Sequence, residues 1–214
     1  MKRIHITSGE YHDQYFQKQY HEPSAPFNEA MMSGKAGADI FSADFIAERA
    51  RELRTTSQEY ADQMQGFLTF AKNLHDYQEV VLWFGPDTFC QMNLLTILAF
   101  LEGQRYAGQL YSVIIDDEDY TILRERAPIT LGGYEDLYSH VLNRNLPVPC
   151  RDATMQRAID LYFDYRSENG RLAAIVKSNP KLCEHELAVK LLSESGEYGL
   201  SDLQAVALIR RYRK

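Results

Sequence analysis

Glu79–Leu101 reads E-V-V-L-W-F-G-P-D-T-F-C-Q-M-N-L-L-T-I-L-A-F-L and carries the densest structural signal in the chain. Val80–Phe84 is an unalternating run of β-branched, aliphatic and aromatic residues, the pattern of a strand covered on both faces in a parallel sheet. Gly85-Pro86 breaks the run. Asp87 then stands where a carboxylate can accept a hydrogen bond from an orphan amide at a helix start. Phe89, Met92, Leu94, Leu95, Ile97, Leu98 and Leu101 surround the helix that follows, which therefore has no face suited to water and packs against the sheet and a neighbour. After Gly103 and Gly108, Gln109–Ile115 (Q-L-Y-S-V-I-I) reads as the next strand. Strand, helix and strand in this order imply a right-handed parallel crossover.

Toward the N-terminus, Arg3–Thr7 (R-I-H-I-T) alternates polar and apolar residues and ends in Ser8-Gly9, so a further strand joins the same sheet. Glu10 to Phe41 shows no sustained period and is punctuated by Pro23, Pro26, Gly34 and Gly37, which reads as a long loop able to close over a site. Ser42 or Asp44 caps a helix with Phe45, Ile46, Ala50 and Leu53 on one side. Thr56-x-x-Glu59 is a capping box, and a single helix from about Ser57 carries Tyr60, Met64, Phe67, Leu68, Ala71 and Leu74 at helical spacing. Toward the C-terminus, Asp116–Arg126 reads as helical or irregular, Tyr134–Leu142 as helical, and Leu146-Pro147-Val148-Pro149 as a connector. Helices follow at Asp152–Ser167, Arg171–Lys177, His185–Ser193 and Ser201–Tyr212. The expected fold class is α/β: a small parallel sheet of three or more strands flanked by helices, with an all-helical C-terminal part. Residues 1–146 form the α/β domain and 150–214 the helical extension.

The charge distribution follows this division. The 214 residues carry a net charge of −7, but residues 1–150 hold 12 Lys and Arg against 21 Asp and Glu, whereas residues 151–214 hold 11 against 9. An acidic first part disfavours a polyanionic partner there, so nucleic acid is not expected to bind it. At 45% hydrophobic and 25% charged residues the chain has a globular rather than a disordered composition. The apolar windows Val80–Phe84 and Leu94–Leu101 fall far short of the ~20 residues a membrane span requires. Residues 1–9 lack the apolar run of a secretory leader. Cys90, Cys150 and Cys183 are widely spaced and odd in number, which provides neither a disulfide framework nor a zinc pair. A cytoplasmic location is the expectation.

Ligands of open parallel sheets bind beyond the carboxyl ends of the strands, where loops diverge and helix N-termini present amides. Ser8, Gly9 and Glu10 follow the first strand, Asp87 and Gln91 the second, and Asp116–Asp119 the third. Asn28 and Glu29 lie in the long loop that starts from the same edge. Ser8, Gly9, Glu10, Asn28, Glu29, Asp87 and Gln91 are therefore the candidate ligand-binding residues. Each has a plainer reading: Asp87 as an N-cap, Ser8 with His12 as an ordinary turn rather than a nucleophile–base pair, and the acidic run as a solvated turn rather than a magnesium site. No metal site is expected. Neither G-x-G-x-x-G nor G-x-x-x-x-G-K-[ST] occurs, so no nucleotide cofactor is indicated.

The segments H-I-T-S-G-E, F-N-E-A-M-M-S-G and L-W-F-G-P-D-T-F-C-Q-M-N-L-L together resemble the bacterial proteins that carry the domain of unknown function 1835. His5, Gly9, Glu29, Gly34, Trp83, Asp87 and Gln91 fall on that family's motif positions, over roughly Arg3 to Ile115. Glu10 stands where the family usually has Asp, Pro86 where His is often seen, and Cys90 where a second Asp is frequent. The resemblance implies a family and no activity. Three functions remain open. The first is a small-molecule site, catalytic or not, in which Glu10 and Asp87 bind or act as acid and base while Gln91 and Asn28 orient the ligand. The second is a regulator or nucleic-acid-associated protein acting through the C-terminal helix pair, which ends Arg210-Arg211-Tyr212-Arg213-Lys214. The third is a structural or oligomerising domain.

Overall fold

In the computed structural model, which describes residues 2–213, five strands form one sheet in the order β2-β1-β3-β4-β5. The strands are β1 (Arg3–Thr7), β2 (Ser24–Pro26), β3 (Glu79–Phe84), β4 (Gln109–Ile115) and β5 (Ile122–Pro128). The first four are parallel, and β5 runs antiparallel to β4. The α/β class and the helical C-terminal part thus hold. All six residues of β3 are buried, as its unalternating sequence requires of a central strand.

Helices follow where burial and capping dictate. They are α1 (Glu10–Tyr20), α2 (Ala43–Glu52), α3 (Ser57–Gln63), α4 (Gln65–Lys72), α5 (Thr88–Gly103), α6 (Tyr134–Tyr138), α7 (Ala153–Arg166), α8 (Arg171–Ser178), α9 (Glu184–Glu194) and α10 (Asp202–Tyr212). Ser42, Asp87 and Asp152 cap α2, α5 and α7 through their side-chain oxygens. Thr56 and Glu59 form the capping box of α3. Cys183, in the Cys183-x-His185 pair, serves as the N-cap of α9 with Glu186 as reciprocal partner.

Three sequence expectations are corrected. Residues 10–41 are not one long loop: α1 and the short strand β2 occupy its first half. α1 escapes notice because its buried residues are His12, Asp13 and Phe16, so polar side chains take the places where an apolar stripe would show. β2 has three residues, too few for a pattern, and tolerates Pro26 because it lies at the sheet edge. Asp116–Arg126 is a turn followed by β5, whose Ile122-Leu123-Arg124-Glu125-Arg126 is almost wholly exposed; an edge strand lined with charges lacks the alternation of a half-buried one. The helix expected to run from Ser57 through Leu74 breaks at Met64, and Leu74–Asp76 forms a 3-10 turn.

Alternation along the strands divides the sheet between two cores. Ile4, Ile6, Val80, Leu82 and Phe84 point into the larger one, with Met92, Leu95 and Ile97 of α5. Val81, Trp83, Val113 and Ile115 point the other way, onto Phe16 of α1. α5 is sandwiched between the sheet and the pair α6 and α7, which explains why it is apolar on every side. The helices after residue 150 extend the larger core through Met155, Ile159, Leu172, Leu187 and Leu208. They also bond to the α/β part, through Gln204 Nε2 to Ser33 Oγ (2.8 Å) and Thr88 Oγ1 to the Glu197 carbonyl (3.2 Å). No described helix is long and apolar enough to cross a membrane.

Candidate functional site

β1 leads by way of α1 to β2 on one side, whereas β3 and β4 continue on the other side of β1. The strand order therefore reverses between β1 and β3, and the turns that follow these strands diverge there, as at other switch points where ligands bind. An open cleft of about 190 Å³ lies at this edge, lined by Ser8, Gly9 and Glu10 after β1, Cys90 at the start of α5, and Asp117 and Tyr120 after β4.

Two polar constellations meet at the cleft. In the first, Ser8 Oγ lies 3.1 Å from His12 Nδ1, and the Ser8 amide also donates to Nδ1 at 3.3 Å. The pairing is local, because α1 places its third residue one turn above Ser8. An amide cannot accept, so Nδ1 is the unprotonated nitrogen of this ring and its hydroxyl contact is donated by Ser8. The His12 ring is buried, stacks on Tyr120 at 4.8 Å with an interplanar angle of 9°, and meets Trp83 edge-on at 6.4 Å. Burial lowers its pKa to about 4, keeping it neutral at ordinary pH. Tyr120 adopts φ 61°, an unfavourable value for a bulky residue, in the tight turn between β4 and β5.

The second constellation joins Asp87, Cys90 and Asp117, with one ligand atom from each within 4.8 Å of the others. Asp87 Oδ1 accepts the Cys90 amide at 3.0 Å, and the Cys90 thiol donates to Asp117 Oδ2 at 3.1 Å. Both carboxylates crowd over Gly85, where an added Cβ would lie 2.6 Å from Asp87 Oδ2 and 2.8 Å from Asp117 Oδ2. Although Asp117 is an exposed residue of the turn, its carboxylate faces inward to the buried thiol. Desolvation first, and then the hydrogen bond and negative charge of Asp87, push its pKa up to about 8. Asp117 thus keeps its proton at neutral pH. Burial, and then the charges of Asp87 and Asp117, raise the Cys90 thiol well above its usual range, so it is not a thiolate nucleophile. Two carboxylates and a sulfur are donors that a divalent cation could also use, in place of the protons they hold.

The C-terminal helices reach this cluster. Gly199, at φ 64° in the turn before α10, lies so close to Asp87 that a Cβ there would overlap the carboxylate. A second cleft of about 520 Å³ runs along this contact between Pro86, Asp87, Thr154, Arg157 and Glu197. Three arginines of the C-terminal part are engaged by acids: Arg210 forks onto Glu184 at 3.1 Å through two nitrogens, and Arg157 and Arg171 both pair with Glu197.

The expected site residues do not all converge. Ser8, Gly9 and Glu10 line the cleft, and Asp87 lies beside it in the carboxylate cluster. Asn28 is close behind Gly9, with its Oδ1 3.8 Å from where a Cβ would stand and its Nδ2 donating to the Gln63 carbonyl. Gln91 is buried and donates to the Gly85 carbonyl at 2.7 Å, bracing the β3–α5 junction. Glu29 lies in the interior, where Arg49 and the Tyr60 hydroxyl satisfy its carboxylate at 2.9 and 2.7 Å. The residues that sequence reasoning undervalued are His12, Cys90 and Asp117. The i,i+4 spacing of Ser8 and His12 was visible, but the inward turn of Asp117 depends on β5, which has no sequence signature. Comparison with family models, curated proteins and solved structures found no match to this chain.

Proposed function

We propose that this is a small-molecule-binding protein whose ligand occupies the cleft beyond β1, β3 and β4, and that its first 115 residues belong with the proteins of the domain of unknown function 1835. The observation that carries the binding role is the Asp87–Cys90–Asp117 cluster at the strand switch point: Asp87 caps α5, but Asp117 is turned onto it beside an open cleft, where keeping its carboxyl protonated costs stability. Glu10 on the rim and the acidic excess of residues 1–150 favour a neutral or cationic ligand. Three free cysteines favour the reducing cytoplasm.

A thermal-shift screen of small neutral and cationic metabolites tests the role. A ligand at 100 times its Kd contributes ~2.7 kcal/mol, or roughly 5–10 °C in Tm for a chain of this size. The shift disappears in Glu10→Ala, an exposed position, and in Asp87→Asn, which keeps a competent N-cap. A ligand whose shift survives undiminished in both folded variants would place binding elsewhere.

A further inference from the structure

We propose that Ser8 is a nucleophile for acyl transfer with His12 as its general base, and that the cleft accepts a small carboxylic ester; this rests on the binding role assigned to the same cleft. The hydroxyl and the ring nitrogen are already within hydrogen-bonding distance, 3.1 Å, and the Ser8 amide identifies Nδ1 as the unprotonated nitrogen of the ring. No carboxylate among the described residues hydrogen-bonds Nε2. The ring is held instead by the Ser8 amide, by the stacked Tyr120 and by Trp83. The Tyr120 face also lies where it stabilises the imidazolium that forms on proton uptake. No side chain caps α1, so its first-turn amides, from residues lining the same cleft, remain free to stabilise a carbonyl oxygen as it becomes negative. The cleft volume suits a short acyl group, since drug-sized ligands occupy pockets of roughly 300–1,000 Å³.

The reaction balances with water as the second substrate. The Ser8 proton moves to His12 Nδ1 as the Oγ–C bond forms at the ester carbonyl. The C–O bond to the alcohol then breaks, and Nδ1 returns the proton to the departing oxygen. Water attacks the acyl-serine, gives a proton to Nδ1, and the carboxylic acid leaves as that proton returns to Ser8 Oγ.

The experiment combines a fluorophosphonate probe, read by intact mass and peptide mapping, with p-nitrophenyl acetate hydrolysis. The full chain gains one adduct, mapped to Ser8, and hydrolyses the ester. Ser8→Ala, which keeps the backbone donor to His12, loses both. His12→Gln, checked for folding by circular dichroism, labels at least ~100-fold more slowly, as loss of a general base requires. Absence of an adduct at Ser8 in the folded wild type, or unchanged ester hydrolysis in Ser8→Ala, overturns the proposal. Unchanged labelling in folded His12→Gln does so as well. A metabolite-induced thermal shift that persists in Ser8→Ala while the wild type takes up no probe refutes the nucleophile and leaves the binding role intact. A wild type that gives no shift with any metabolite removes the binding role itself.

Discussion

Two acidic clusters in this molecule, one buried and one at the edge of a cleft, present opposite solutions to the same electrostatic problem. Glu29 is taken fully out of water but meets Arg49, Tyr60 and the Ala30 amide; Arg49 in turn donates to the carbonyls of Ala30, Ser33 and Lys35. Every charge there has a partner, and the cluster ties the loop after β2 to α2 and α3. At the strand ends, Asp117 faces Asp87 and the Cys90 thiol, and among the described residues no basic side chain pairs with either carboxylate. The first arrangement is complete within the protein. The second is relieved by the proton that Asp117 keeps, which is why the binding role is proposed there and not at Glu29.

The largest effect should come from breaking the satisfied cluster. Glu29→Ala leaves Arg49 buried without its counter-ion and costs about 3–5 kcal/mol in urea unfolding. A loss below ~1 kcal/mol would mean that the contrast with the strand-end cluster is wrong. Gly199→Ala places a Cβ against the Asp87 carboxylate at a positive φ, and the left-handed backbone alone costs about 1–2 kcal/mol, a fall of roughly 2–8 °C in Tm.

The smallest effect has the opposite sign. Native Asp117 holds its proton up to about pH 8, whereas the unfolded chain releases it near the ordinary carboxylate value. Between about pH 4 and 8 the native state therefore binds more protons, and this group's contribution to stability falls as pH rises. Asp117→Asn should gain about 1 kcal/mol at pH 8 and almost nothing at pH 4, the gain being limited because solvent reaches the rest of this exposed residue. His12 acts in the other direction from about pH 4 to 6.5, since its buried ring refuses a proton that the unfolded chain accepts. The Asn variant should accordingly show stability rising with pH across that window in denaturant titrations.

The central architecture was legible in the sequence. β1, β3, β4 and the sandwiched α5 are encoded by runs of apolar residues, and Ser42, Thr56 and Asp87 are local caps that work from their own first turns. α1, β2 and β5 were not legible: the first buries polar residues, the second is too short, and the third is an exposed edge. Of the residues around the proposed site, Ser8, Gly9, Glu10 and Asp87 could be placed from the sequence because they directly follow strands.

Local sequence thus settles β1, β3, β4 and the capped helices, because periodicity, turn residues and caps act over a few neighbours. Partnership across the chain was settled by the fold. Glu29 and Arg49 are 20 positions apart and Asp87 and Asp117 are 30 apart, and nothing in either spacing distinguishes a neutralised charge from a strained one. The difference arises where β5 turns Asp117 back over Gly85 while α2 carries Arg49 beneath the loop. Electrostatic energy depends on distance and burial, and both are properties of the folded chain.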